Sequence, residues 1–164
     1  LERASQTVRK FEKVDALLTD EIAHLDPSVS ADALRLLSWA VDLPPGAGGP
    51  LADQAARLKQ AAADPTHVGS LAANVAHLVR LLDQLKTHLP HEGWLLLRQL
   101  RARRITADAA ACAPLRSQLS ALESLTNEAL PRDTGWRFLD LGRRIERGQQ
   151  VLQLLRLLLF PEAS

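Results

Sequence analysis

The residues best suited to chemistry are the charged side chains of two short segments near opposite ends of the chain. Residues 1–8 and residues 145–152 share glutamate, arginine and glutamine at equivalent positions, and their other residues are mainly small or aliphatic. A glutamate can accept a proton or bind an amine, and an arginine can bind a carboxylate or a phosphate. Each segment therefore carries a pair of groups suited to catalysis, to ligand binding or to a structural contact.

The simplest interpretation of the repeated pair is a polar clasp between two helices. Adjacent helical residues point about 100° apart, so each segment offers its glutamate and arginine to different neighbours. Packed antiparallel, the segments would place Glu2 against Arg147 and Arg3 against Glu146. Removing one partner of a buried ion pair costs about 3–5 kcal/mol. We therefore expect Glu146→Ala to lower the melting temperature sharply.

The alternative interpretation is a cleft in which the same charges bind or convert a substrate. Glu146 is then the candidate catalytic base, and Arg143 or Arg147 is the clamp for a carboxylate. A fully buried ion pair would favour the clasp, whereas a solvent-reachable pocket would favour the enzyme. The polar cluster to which both interpretations apply comprises Glu2, Arg3, Asp140, Arg143, Arg144, Glu146 and Arg147.

Two further features of the C-terminal segment predict contacts. Gly142 lies inside a predicted helix, where glycine costs about 1 kcal/mol relative to alanine, and close approach of another helix is the simplest reason for it. Residues 152–159 are apolar on nearly every side, which favours an interface with a missing domain or a second copy. The interface candidates are Leu154, Leu155, Leu158 and Phe160.

The composition predicts that helices position these residues. The 164 residues include 33 leucines and 25 alanines but only 11 valines and isoleucines together, and no tyrosine. Strands need β-branched and aromatic residues, so we expect an all-α fold, an antiparallel bundle of six or seven helices in one domain over residues 1–164. Methionine is absent and Leu1 opens inside a Glu-Arg motif, so we expect truncation of the domain at its N-terminus.

Hydrophobic periodicity and helix-ending residues give approximate boundaries for these helices. Ser70 is a candidate N-cap, and Pro114 is predicted to open a helix. The expected helices cover residues 1–25, 31–42, 51–63, 71–89, 90–104, 114–130 and, from 131 or 132, to 160.

Charge and residue spacing argue against several function classes. The net charge of +1 gives no whole-chain argument for nucleic acid or an anionic membrane, and the longest apolar run is too short to cross a bilayer. The histidines show no helical metal-ligand pair. We expect a cytoplasmic protein without a metal or a cofactor in this domain. The weaker alternative, an RNA-binding bundle, rests on the basic cluster Arg98, Arg101, Arg103 and Arg104.

Several segments of the sequence resemble those of a known protein family. Residues 127–147, which contain Gly135-Trp136 and end in Glu146-Arg147, are similar to the signature of the bacterial alpha-E domain. The family's N-terminal helix carries a Leu-Glu-Arg-Ala sequence like that of residues 1–4. Residues 64–71 and 92–100 resemble the middle of the domain.

The resemblance implies an all-helical domain that is often fused to, or encoded beside, a circularly permuted ATP-grasp domain. It implies an accessory or substrate-holding module of a peptide or amide-bond-forming system. The implied partners are the ATP-grasp domain and a peptide substrate, and a second copy of the chain is a further candidate. The alternative is an enzyme in its own right that acts on a peptide or amide through a Glu/Arg cleft.

Overall fold

The computed structural model describes residues 1–19, 35, 38, 39 and 50–159, and the regular elements within them are all helical. The predicted all-α helical bundle is confirmed for this part of the chain. The six described α-helices are α1 (Glu2–Thr19), α2 (Leu51–Ala63), α3 (Leu71–Gln84), α4 (His91–Ala102), α5 (Ala109–Ala129) and α6 (Thr134–Leu159). A 3₁₀ turn, Lys86–His88, separates α3 from α4.

Side-chain caps determine where three of the helices begin. The Ser70 hydroxyl accepts a hydrogen bond from the Ala73 N–H, as the sequence predicted for the start of α3. Asp108 caps α5 in the same way, and Asp133 accepts from the Trp136 N–H at the start of α6. These caps satisfy N–H groups that have no partner within the helix.

Pro114 does not open a helix, contrary to the prediction. Helix α5 begins five residues earlier, at Ala109, because the Asp108 cap outweighs the local effect of proline. Pro114 lies within α5 with its ring exposed, and the helix tolerates the one backbone hydrogen bond that proline cannot donate. The predicted helix over 31–42 lies outside the described residues, except that Arg35, Ser38 and Trp39 are helical.

The described hydrophobic core is formed by the first five helices. Phe11 of α1 is almost fully buried and belongs to one core cluster with leucines of α3, α4 and α5. Small residues such as Ala4 and Cys112 allow the helices to approach closely. The main buried apolar side chains are Ala4, Val8, Phe11, Leu58, Ala62, Leu71, Val75, Leu78, Leu82, Leu97, Leu100, Cys112, Leu115, Leu119 and Leu122.

Helix α6 differs from the others in its packing. Of its described side chains, none is buried, and several large apolar ones are exposed. The helix is 26 residues long, about 39 Å. Within the described part of the chain, α6 is therefore held against the bundle mainly by contacts other than the burial of apolar side chains. None of the described helices is both long enough and apolar enough to cross a membrane.

The directions of α1 and α6 correct one expectation. Glu12 of α1 pairs with Arg116 of α5, whereas Glu2 shares Arg147 with Glu123 of α5, so α1 and α5 run antiparallel. Helix α6 is also antiparallel to α5, because Arg143 contacts Asn127 while Arg147 approaches Glu123. Helices α1 and α6 therefore run in the same direction, and the predicted antiparallel packing of the two Glu-Arg segments is wrong.

Candidate functional site

Two crossed ion pairs join the Glu-Arg segments of α1 and α6. The Arg147 guanidinium donates to both carboxylate oxygens of Glu2, at 2.9 and 3.1 Å. The Arg3 guanidinium donates to both oxygens of Glu146, at 3.1 and 2.5 Å. Each glutamate thus meets the arginine of the other segment, as the sequence comparison predicted. Parallel helices allow this crossed pairing, because it requires only that the two Glu-Arg motifs lie opposite each other.

The two pairs differ in burial. The Glu2 side chain is 6% exposed and its Arg147 partner 59%, whereas Glu146 and Arg3 are 27% and 58% exposed. Removing Arg147 would therefore leave a buried carboxylate without its cation, while removing Glu146 would leave an arginine already in water. We therefore expect the larger destabilisation from loss of the pair of Glu2 and Arg147 rather than from Glu146→Ala, whose effect stays a prediction.

The electrostatics of Glu2 follow from this geometry. Burial alone raises the pKa of Glu2, but hydrogen bonds from Arg147 and Gln6 outweigh it, and the pKa lies below its ordinary value. The same contact raises the pKa of Arg147. Both side chains are charged at neutral pH, so the contact is an ion pair.

Further polar contacts fix the N-terminal half of α6. Arg143 donates to the Asn127 Oδ1 at 2.5 Å and to the Thr126 hydroxyl at 3.4 Å, both on α5. Arg144 pairs with Asp140 one turn earlier on its own helix, at 2.8 Å. The two arginines thus differ: Arg144 has a carboxylate partner, and the partners of Arg143 are neutral.

A pocket of about 600 Å³ opens beside the crossed pairs, between α5 and α6. Two of its arginines, Arg132 and Arg143, have no ion-pair partner among the described residues. The Arg132 guanidinium lies 4.0 Å from the centre of the Trp136 ring. The buried indole N–H of Trp136 has no hydrogen-bond partner within the described part of the chain. The lining residues are Glu123, Asn127, Arg132, Trp136, Asp140, Arg143, Arg144 and Arg147. We call this the arginine pocket.

The arginine pocket carries more positive than negative charge. Its four arginines face two carboxylates, Glu123 and Asp140. Guanidinium groups with neutral partners and an indole N–H are donors suited to a carboxylate or a phosphate. The arrangement can therefore bind and orient an anionic group.

A second groove, of about 550 Å³, lies on the other side of Arg147. Burial lowers the pKa of Lys10 to about 8, and its ammonium lies 3.4 Å from the centre of the Trp39 ring. The Trp39 indole also donates to Gln153 of α6 at 3.3 Å. The groove is lined by Gln6, Arg9, Lys10, Lys13, Trp39, Arg147, Gln150, Val151 and Leu154. Arg147 is the residue that both cavities share, so the clasp lies between two cationic surfaces.

Six of the seven members of the predicted polar cluster form three separate ion pairs, and the seventh, Arg143, binds Asn127 and Thr126 instead. Glu146 is bound at both oxygens by Arg3, which leaves it poorly placed to accept a proton from a substrate. The sequence did not identify Arg132, because it precedes the first turn of α6. It also did not identify Asn127 or Lys10, because their partners lie on other elements. Only the four-residue spacing of Arg132 and Trp136 offered a signal.

The remaining predicted features are the close packing at Gly142, the apolar interface near the C-terminus and the basic cluster. A Cβ on Gly142 would meet nothing within 4 Å, so the predicted close approach of another helix is wrong for the described residues. Leu154 lines the second groove, which also contains Lys10, and Leu155 is exposed. The Leu158 side chain and Phe160 lie outside the described part, so the predicted interface stays a prediction. In the basic cluster, Arg101 pairs with Asp83 and Arg103 donates to Gln118.

Comparisons with known proteins identify the family of the chain but not its activity. A family model described as Alpha-E, a predicted alpha-helical domain with a conserved ER motif, matches residues 1–164. Uncharacterised proteins of Mycobacterium tuberculosis and Mycobacterium bovis are each 28% identical over 106 residues. The alignment covers 57% of this chain and 12% of each relative, so the relatives are much longer proteins. No solved structure matches.

Proposed function

The chain belongs to the alpha-E family, and from this premise we propose that it is an accessory, substrate-holding module of an ATP-grasp-linked peptide or amide-bond-forming system. In this role the module does not form the bond. It binds an acidic peptide through the arginine pocket and presents it to a circularly permuted ATP-grasp domain, in the same polypeptide or as a separate protein.

The observation that supports this proposal best is the pairing of Arg143. Its guanidinium is half-buried at the pocket and hydrogen-bonds only neutral groups, Asn127 and Thr126, among the described residues. Arg143 lies close enough to the Glu2 carboxylate to lower its pKa, but the hydrogen bonds described for its guanidinium go to neutral groups, so it can still donate to an anion that enters the pocket. Arg132, held over Trp136, provides a second cation beside it. A peptide side-chain or terminal carboxylate fits this combination of donors.

Binding of acidic peptides provides the direct test. A fluorescently labelled hexaglutamate peptide is titrated with the chain, and a hexaglutamine peptide serves as the neutral comparison. We expect hexaglutamate to bind. Arg143→Gln removes one charge-assisted contact and should therefore weaken binding of hexaglutamate about tenfold or more. Added salt should weaken binding as well.

A matched variant separates ligand binding from stability. Asn127→Ala removes the structural hydrogen bond of Arg143 but keeps the guanidinium in the pocket. We expect Asn127→Ala to bind hexaglutamate within about threefold of the unsubstituted chain. Equal loss in both variants, or equal binding of hexaglutamate and hexaglutamine, would contradict the proposal. Amide formation or hydrolysis by the chain alone, abolished by Glu146→Gln, would favour an enzyme instead.

A further inference from the structure

The second groove, between α1 and α6, combines cations with apolar side chains. Helix α1 contributes Arg9, Lys10 and Lys13, and helix α6 contributes Val151 and Leu154. None of the described residues that line the groove is an aspartate or a glutamate. Its volume of about 550 Å³ lies within the range of small-molecule sites. The groove therefore has room for an organic molecule that carries a negative charge.

Lys10 is the least exposed of the three cations on α1. Its side chain is partly buried, whereas Arg9 and Lys13 are exposed. Its ammonium lies 3.4 Å from the centre of the Trp39 ring, and the Trp39 indole is held to Gln153 of α6. An aromatic ring stabilises an ammonium but carries no net charge, and burial lowers the pKa of Lys10 to about 8. An anion in the groove would offset this cost of burial.

Binding of an anion at Lys10 would break no described ion pair. Arg9 and Lys13 form no ion pair within the part of the chain that the structure describes. Arg147 also lines the groove, but its guanidinium is already bound to Glu2. The available positive charge therefore comes from α1, where one partly buried ammonium lies beside two exposed cations that attract an anion.

The apolar side chains of the groove indicate that the ligand is more than a bare ion. Val151 and Leu154 are 57% and 37% exposed, and the Trp39 ring lies beside them in the lining. Inorganic phosphate would leave these surfaces in water, whereas an anion attached to an aromatic or aliphatic body would bury them. The arginine pocket differs in this respect, because no aliphatic side chain lines it.

We propose that the second groove binds a small organic anion, with its carboxylate or phosphate on Lys10 and its apolar body against Trp39, Val151 and Leu154. This site is separate from the arginine pocket and does not depend on the proposed function.

Three naphthalene compounds test the proposal. 1-Naphthylacetate carries a carboxylate, 1-naphthyl phosphate carries a phosphate, and 1-naphthylacetamide has the body of the first without its charge. Binding to the full chain is measured by isothermal titration calorimetry at pH 7. We expect the better of the two anions to bind about tenfold or more tightly than the amide, and that anion then identifies the acidic group of the ligand. Equal binding of all three compounds, or no binding of any, would overturn the proposal.

Variants locate the binding site. Lys10→Gln removes the ammonium and should weaken binding of the better anion about tenfold or more. Arg57→Gln removes the same charge from an exposed position on α2, outside the groove, and should leave binding within about twofold. Equal effects of the two substitutions would place the anion elsewhere and contradict the proposal.

The pH dependence of binding provides a readout that a purely structural role of Lys10 would not produce. The charged groups that line the groove with Lys10 are Arg9 and Lys13 of α1 and Arg147 of α6, all cations. Because the pKa of Lys10 is about 8, the affinity for the better anion should fall about tenfold between pH 7 and pH 9. Lys10→Arg keeps its charge over this range and should bind with nearly constant affinity. A constant affinity in the unsubstituted chain, or an equal fall in Lys10→Arg, would overturn the assignment.

Discussion

Helices α5 and α6 follow each other in the chain and run antiparallel, but opposite kinds of interaction hold them. Helix α5 buries Leu115, Leu119 and Leu122 in the core. Helix α6 has no buried side chain among those described, and its contacts with the bundle include the guanidinium groups of Arg143 and Arg147 and the carboxylate of Glu146. Apolar burial depends little on salt, whereas exposed ion pairs are screened by it. We therefore expect salt and single substitutions to loosen α6 without loosening the core.

Truncation of a core leucine should have the largest effect. Leu119 is fully buried, and Leu119→Ala should lower the free energy of unfolding by about 3–5 kcal/mol in urea denaturation. Leu155→Ala, on exposed α6, is the control and should change it by less than about 0.5 kcal/mol. Similar effects of the two substitutions would show that the core and α6 do not differ as described.

Loss of the buried ion pair between Glu2 and Arg147 should have the second-largest effect on stability. Arg147→Met leaves Glu2 buried without its cation and should cost about 3 kcal/mol. Glu146→Gln leaves Arg3 in water and should cost less than about 1 kcal/mol. Thermal and urea unfolding of the two variants measure this difference. A larger effect for Glu146→Gln would restore the expectation drawn from the sequence.

Filling a glycine of α6 should stabilise the chain by a smaller amount. A Cβ on Gly148 meets no neighbour, so Gly148→Ala should raise the free energy of unfolding by about 1 kcal/mol through helix propensity. The matched substitution Gly93→Ala, at a buried glycine of α4, places the Cβ 3.4 Å from the Leu89 Cβ and should gain less. Destabilisation by Gly148→Ala would mean that a neighbour occupies this face.

The decrease in melting temperature at acidic pH provides a second test of the ion pair between Glu2 and Arg147. The pKa of Glu2 is lowered in the folded chain, so its contribution is present above the unfolded value of about 4.3 and is lost as pH falls through the folded value. Melting temperatures between pH 7 and pH 3 should therefore fall less steeply for Glu2→Gln than for the unsubstituted chain. Parallel curves would contradict the assigned cause of the shift.

The sequence predicted the helices and the pairing well, but not the surroundings of the pairs. Leucine and alanine spacing located α2 and the Ser70 cap, and the repeated Glu-Arg motif predicted which charges would meet. Periodicity within one helix carries no information on residues that approach from another. For this reason the relative direction of α1 and α6 was predicted wrongly. The contact of Arg143 with Asn127 and the contact of Lys10 with Trp39 were not predicted.

Hydrogen exchange of the backbone amides tests most directly whether polar contacts rather than a core hold α6. We expect amides of residues 143–150 to exchange through local opening, faster than those of 115–122, and the difference to increase in high salt and in Arg147→Met. The amides of α5 should be unaffected by either change except through global unfolding. Equal protection of the two helices, unchanged by salt and by Arg147→Met, would contradict the account.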